Sequence, residues 1–469
     1  MDNGTPPAEP WKITSIQYIR SPSYEERLKC LKEAGWNPFM IKAENVYIDL
    51  LSDSGSGSMS DDQWAALMRG DESYASRRNF FTLVDKVREI FGFENIIPAH
   101  QGRAAENVLF STIVKKGDVV PNNTHFDTTQ ANIEQNGGIA LNLPIKELYD
   151  FDHFYPFKGN MDVKKLKETI DNYGAQKIPV VMLTITNNSG GGQPVSMENI
   201  KKVSKICKKS DLLFFFDACR FAENAYFIKQ REKGYKNWDI RRIVKKMFSY
   251  VDGCNMSAKK DMLCNIGGFI GLKKSSMNLY NKLATKCLLV EGFKTYGGIT
   301  GRDLEAMAVG LEEGVNCKYL DWRISQVRRL GEQLKKAGVP IIWPTGGHAI
   351  YILSQKFFPH IPPTQYPGQV LFAMLYLEGG IRGAELGNVA FGKRDPQTKK
   401  ETFPKLDLFR LAIPRRLYTN SHIDYVAQKI ISLYKNRKKY RGFNIVYETP
   451  YLRHFIARFE PLRGKNGSS

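Results

Sequence analysis

Two apolar runs in this chain end on groups able to do chemistry. Leu212–Phe216 stops at Asp217-Ala218-Cys219-Arg220, and Tyr250–Met256 stops at Ser257-Ala258-Lys259-Lys260-Asp261. Both runs read as buried strands, so a carboxylate, a guanidinium, a hydroxyl and two ammonium groups stand at strand C-terminal ends. In an open α/β sheet ligands bind in the crevice outside those ends. Singly, each group has an ordinary use: an Asp after a strand caps the next helix, and a Lys-Lys pair is a solvated surface. Together, at two strand ends of one βαβ succession, they describe a site.

The group these residues suit is pyridoxal 5'-phosphate. Its aldehyde needs a lysine, and its ring nitrogen needs an acidic partner that keeps it protonated, so that the ring can accept electrons. Lys260 supplies the first and, once displaced by substrate, becomes the base for the α-proton. Asp217 supplies the second. Arg220 could face the phenolic oxygen, and Ser257 could donate to the phosphate. Upstream, Ile96–His100 reads as a strand, followed by Gln101-Gly102 and a helix from Arg103. A Gly turn at a helix start offers free N–H groups and a positive dipole end to an anion. Farther on, Arg410 lies inside the apolar run Leu408-Phe409-Arg410-Leu411. A charge buried alone is costly, so it has a partner; a planar guanidinium suits a carboxylate in two-point contact, from a substrate or from an internal salt bridge.

The segments Phe216–Ile228 and Met256–Asp261 resemble the β-eliminating lyases. So do Tyr47–Gly55, His100-Gln101-Gly102-Arg103, Gly191–Ser196 and Leu452–Phe455, in the family's order, and the resemblance runs from about Trp11 to Phe459. It implies an α/β chain of pyridoxal-phosphate fold type I, with a large domain built on a mostly parallel sheet and a smaller α+β domain. The expected division is an N-terminal arm over 1–20, part of the small domain over 21–57, the cofactor-binding domain over 58–313 and the small C-terminal domain over 314–469. By resemblance Gln101, Gly102 and Arg103 hold the phosphate, Phe126 stacks on the ring, and Asn188 bonds the phenolic oxygen. Asn188, Ser52 and Arg410 hold the substrate carboxylate. Tyr74 gives a proton toward the leaving group and is expected to reach a neighbouring subunit's site; Lys259 is a second candidate donor. A potassium ion is expected on Glu72 and backbone oxygens near Gly55 and Asn265, oxygen ligands being what a hard cation takes. The resemblance also implies a homotetramer, a dimer of dimers.

The family has tryptophan-cleaving and tyrosine-cleaving members, and three positions separate them. Asp127 stands where tyrosine-cleaving members have Thr, His454 where they have Phe, and Leu386 where they have an Arg for the phenol oxygen. All three imply β-elimination of tryptophan to indole, pyruvate and ammonia. Without a cation a phenolate has no partner, Leu386 suits an indole face, and Asp127 or His454 can accept from the indole N–H. The alternatives are tyrosine cleavage, another fold type I lyase or an aminotransferase, and a non-catalytic anion-binding protein.

The chain has 469 residues, 42% hydrophobic and 25% charged. That is ample for a large core and more than one domain. No early apolar run has signal-peptide length and no run of about eighteen apolar residues exists, so no membrane span is expected. Seven scattered cysteines without a C-x-x-C pair argue for reduced thiols and a cytoplasmic setting. A net charge of +20 is concentrated in Lys201–Lys209, Arg241–Lys246 and Lys435–Arg441. Each stretch has helical apolar spacing and reads as a solvated face; no nucleic-acid motif accompanies it, so no nucleic-acid partner is expected. Between the site residues the pattern predicts helices over Ser23–Ala34, Asn79–Phe91, Thr300–Glu313 and Tyr319–Ala337. Short strands are expected at Val46–Leu51 and Gly267–Leu272, and a central parallel strand over Lys177–Thr186.

Overall fold

The computed structural model describes residues 7–394, 398, 400–449 and 452–462. Residues 1–6 of the expected N-terminal arm lie outside them. The chain divides into two compact units. One comprises Ser54–Ile324 and Arg415–Leu417, with the start of the chain through Pro10; the other comprises Trp11–Asp53, Ser325–Pro414 and the chain from Tyr418 onward.

The first unit is α/β. Its strands are β1 (Asn95–Ala99), β2 (Val119–Asn122), β3 (Ile139–Asn142), β4 (Val181–Thr184), β5 (Phe214–Asp217), β6 (Gly253–Ser257) and β7 (Gly268–Leu272). Five form one sheet in the order β1-β7-β6-β5-β4, while β2 and β3 make a parallel pair. β4, β5 and β6 run parallel, and β7 is antiparallel to both β6 and β1. β1 therefore points the same way as the parallel strands, and the mostly parallel sheet of the fold class is present. The register Thr184–Asp217–Asn255, with Ser257–Gly268–Ala99 beside it, brings four carboxyl ends to one edge.

Alternation along β5 explains why it is central. Phe216 packs edge-on to Phe248, which stacks on Phe91 at 4.1 Å between centroids, so one face is sealed by helices Arg78–Phe91 and Ile240–Phe248. Phe215 points the other way, into a cluster with Ala105, Leu109, Met182 and Ile270. Aromatic pairs of this kind add on the order of 1 kcal/mol each beyond burial.

Two expectations need correction. The apolar run Lys177–Thr186 yields only the strand Val181–Thr184, preceded by a 3-10 turn at Ala175–Lys177, and it ends the five-strand order rather than lying within it. Its outer edge is closed by a side chain: Asn123 Nδ2 donates to Thr184 O at 3.0 Å, and Thr184 N donates to Asn123 Oδ1 at 2.9 Å. An amide side chain thus does the work of a neighbouring strand's backbone, and burial made the segment look central. The expected strand Val46–Leu51 shortens to Ile48–Asp49, paired in parallel with Ile381–Arg382.

The second unit is α+β. β8 (Ala349–Leu353), β9 (Ala384–Leu386) and β10 (Leu408–Ala412) form an antiparallel sheet with β10 in the middle. The helix Pro367–Gly379 is buried on nearly every side, and the helix Asn420–Lys435 joins the same core through Val426 and Ile430.

Candidate active site

In the first unit, sheet register does the assembling. Asp217 is the last residue of β5 and Ser257 the last of β6, both buried. The helix Gly102–Ile113 starts against Ser257 so closely that a Cβ on Gly102 would lie 2.6 Å from Ser257 Cβ. A side chain there is excluded, so the helix start lies directly against the strand end. Ala104 N and Ala105 N donate to Gln101 O at 3.1 and 3.2 Å, and the positive dipole end of the helix faces where an anion would sit. Gln101 caps that helix without a side-chain cap bond, and Arg103 is exposed in the first turn. The buried Ser257 Oγ has no partner among the described residues. An orphaned hydroxyl beside a helix N-terminus fits an anion such as a phosphate, so these residues fit pyridoxal phosphate.

Lys259 and Lys260 follow β6 and are half-buried. Burial, then the neighbouring Lys260 and Arg103 charges, push the Lys259 ammonium down from its usual range. Asp217 Oδ1 accepts from Cys219 Sγ at 3.0 Å, and Arg220 caps the helix Phe221–Arg231. Asn188 is buried just beyond β4. Ser189 Oγ donates to His125 O at 2.9 Å, which ties the loop after β4 to the loop carrying Phe126. Phe126 caps the helix Asp127–Gln135, and Asp127 Oδ1 accepts from Thr128 N at 2.6 Å.

Four further expected residues lie in this unit. Tyr74 is 68% exposed and packs against Tyr296 and Phe293, with ring centroids 5.4 and 6.2 Å away. Glu72 accepts from the backbone N–H groups of Gly301 (2.9 Å) and Arg302 (3.1 Å), capping the helix Gly301–Gly314. Gly55 and Asn265 do come together: Asn265 Nδ2 donates to Gly55 O at 2.9 Å, and Gly55 N donates to Lys259 O at 2.8 Å. Among the described residues no hydrogen bond joins Glu72 to that pair, and no group of three or more His, Cys, Asp or Glu is gathered for a metal.

Sequence reasoning missed two features. Glu106, one turn into the helix Gly102–Ile113, accepts from Thr128 Oγ1 at 2.8 Å and Thr129 Oγ1 at 2.5 Å. Burial first, then the Asp217 charge, push it up to about 7. The signal available was an acid inside the apolar stretch Ala104–Leu109. The second feature is a fully buried network behind Lys260. Arg415 Nη2 donates to Glu223 Oε1 at 2.8 Å and Asp261 Oδ1 at 2.7 Å, and Arg323 Nε donates to Glu223 Oε1 at 3.2 Å. Asp261 Oδ2 also accepts from Ala222 N and Glu223 N, at 2.8 and 3.0 Å. Asp261 thereby pins the turn after Lys260 to the helix that begins at Phe221.

In the second unit β10 centres Arg410 between Ala384 of β9 and Tyr351 of β8. Arg410 is buried, and its Nη2 donates to Leu51 O at 3.1 Å, the residue before Ser52. Leu386 lies on β9 opposite Leu408. His454 is buried against Phe39 and Phe455; burial, then the Arg410 and Arg453 charges, push it down to about 4. It is therefore a neutral imidazole, and its Nδ1 has no partner among the described residues. Ser52, Arg410, Leu386 and His454 thus belong to one unit.

This fold, with a lysine, an acid and a helix start at its strand ends, defines a pyridoxal-phosphate protein of fold type I. The chain belongs to the β-eliminating lyase family, whose family model matches residues 49–429. It is 50% identical over 455 residues to a tyrosine phenol-lyase of Pasteurella multocida, covering 97% of this chain and 99% of that one. It is 48% identical over 453 residues to a tryptophanase of Salinibacter ruber, covering 97% and 95%. Among solved structures it is similar in fold to a serine palmitoyltransferase of S. paucimobilis, with a TM-score of 0.54, 12% identity and coverage of 83% of this chain and 88% of that one. Relatives of both names stand at nearly equal identity.

Proposed function

We propose that this lyase cleaves L-tryptophan, with water, into indole, pyruvate and ammonia. The cofactor, when bound, supplies an electron sink for the charge left at the substrate Cα. Asp217 keeps the ring nitrogen protonated, Phe126 covers the ring, and Arg220 and Asn188 meet its phenolic oxygen. Ser257, Gln101, Gly102 and Arg103 hold the phosphate. Lys260 holds the aldehyde and then carries the α-proton. Arg410 and Ser52, with Asn188, hold the substrate carboxylate. Indole leaves once C3 is protonated, with Tyr74 and Lys259 as the donors.

The observation that carries tryptophan over tyrosine is the pair Leu386 and His454. A departing phenolate needs a cation. A neutral, buried His454 and an aliphatic Leu386 offer none, whereas they offer an apolar wall and an acceptor for an indole N–H. Asp127 is the second candidate acceptor. Tyrosine cleavage is the alternative, favoured by the phenol-lyase names among relatives. Potassium is proposed on Glu72 and the Gly55 and Asn265 oxygens, in a cytoplasmic dimer of dimers whose partner copy receives Tyr74; the 68% exposure of that tyrosine supports this.

Purified protein given pyridoxal phosphate and either tryptophan or tyrosine, with and without potassium, tests the reading. Indole with equimolar pyruvate from tryptophan is expected, faster with potassium. Phenol from tyrosine as the main product would overturn it.

A further inference from the structure

Behind the phosphate turn runs a line of hydrogen bonds that the reading above does not use. Lys259 Nζ donates to Gln101 Oε1 at 3.3 Å, and Gln101 Nε2 lies 3.0 Å from His100 Nε2. His100 Nδ1 lies 2.5 Å from Glu291 Oε2, which also accepts the His100 backbone N–H at 3.2 Å. A lysine ammonium has only protons to offer, so Gln101 must turn its oxygen to Lys259. Its NH2 group then faces His100 Nε2, which therefore accepts. The imidazole proton sits on Nδ1 and goes to the Glu291 carboxylate. Every donor in the line meets an acceptor, with a donor-only ammonium at one end and an acceptor-only carboxylate at the other.

The reverse arrangement shows what depends on it. With Glu291 gone, the imidazole is free to carry its proton on Nε2. Gln101 would then turn its oxygen to His100 and its NH2 to Lys259, setting two donors face to face. The charges that act on Lys259 are Lys260 and Arg103, both cations, so the Gln101 oxygen is the group in this line that favours a protonated Lys259. Glu291 is well placed as an anchor: its side chain is 10% exposed, at the end of the helix Met277–Val290, while that of His100 is 42% exposed.

We propose that Glu291 and His100 are positioning residues for Lys259: by fixing the imidazole tautomer they fix the Gln101 amide, whose oxygen holds the proton on Lys259 until the reaction takes it. This deepens, and rests on, the reading of Lys259 as a proton donor. Trace acetylation of the full-length protein with acetic anhydride across pH, with and without cofactor, reads the protonation of Lys259 by mass spectrometry. His100→Phe and Glu291→Leu are expected to lower the pH of half-maximal labelling by about half to one pH unit, a three- to tenfold rise in label at fixed lower pH. Glu291→Gln keeps an acceptor for the Nδ1 proton and should shift it less. Nitrogen-15 spectra of the unaltered protein should show the His100 proton on Nδ1, a test that needs no variant to fold. Unchanged Lys259 labelling in both His100→Phe and Glu291→Leu, or a proton on Nε2, would overturn the proposal. Normal turnover by Lys259→Met with the labelling shifts intact would instead remove Lys259 as donor and leave the coupling standing.

Discussion

Lys260 stands three residues beyond β6, and its charge reaches both Glu106 and Cys219 beside Asp217. Lys260→Ala is expected to abolish the visible absorbance of lysine-bound cofactor while phosphate-end binding persists, because Ser257 and the Gly102 turn are untouched. A spectrophotometric titration checks it, and an unaltered band would remove Lys260 from its role. Glu106 shows what reading residues singly misses. Its acid is held by Thr128 and Thr129, two and three positions past Phe126, so it links the helix that starts at Gly102 to the segment that carries Phe126. Only the packing of helix Gly102–Ile113 on helix Asp127–Gln135 brings those residues together.

At the scale of elements, the turn after β6 is held by buried charge as well as by the apolar packing of Ala258 and Met262. Glu223, Asp261, Arg323 and Arg415 are all buried to within 2% exposure, and two guanidinium groups balance two carboxylates. A buried pair is costly to break from one side, because the remaining charge has no solvent. Arg415→Met should lower stability by about 3–5 kcal/mol in urea unfolding, and adding Glu223→Gln should return part of the loss. A drop under about 1 kcal/mol in the single variant would show that the network is relaxed by water. Burial and then the Glu223 charge push Asp261 up to about 6, so the arginine does not fully compensate its surroundings.

For the whole molecule, pH should act on stability through raised acids in both units, Glu106 and Asp261 in the first and Glu385 and Asp407 in the second. Glu385 accepts backbone N–H groups from Gly387, Val389 and Ala390, and Asp407 accepts from Asn388 N, so two buried acids hold one turn beyond Leu386. Burial raises both, and Asp407 adds to the rise at Glu385. A carboxyl whose folded value is raised binds its proton more tightly when native. Stability is therefore fully present below the ordinary carboxyl range and falls as pH rises toward about 8, the folded value of Glu385. Glu385→Gln should flatten that fall between about pH 6 and 8; thermal unfolding across pH checks it, and equal slopes in both proteins would refute it. No helix among the described residues is long and apolar enough to cross a membrane. The charge of +20 lies outside every role argued above.

The sequence by itself determines the α/β class, the family and the strand ends carrying Asp217 and Ser257, because apolar runs that stop at charged groups are local features of the chain. It also marks Arg410 as a charge inside a strand. Tertiary structure alone decides which residues complete those ends. Asn123 closes the edge of β4, Glu106 meets Thr128 and Thr129, and Arg415 returns from far along the chain to Glu223 and Asp261. Each contact joins residues far apart in sequence through side chains, and periodicity encodes only which face of an element is buried, not what it will be buried against.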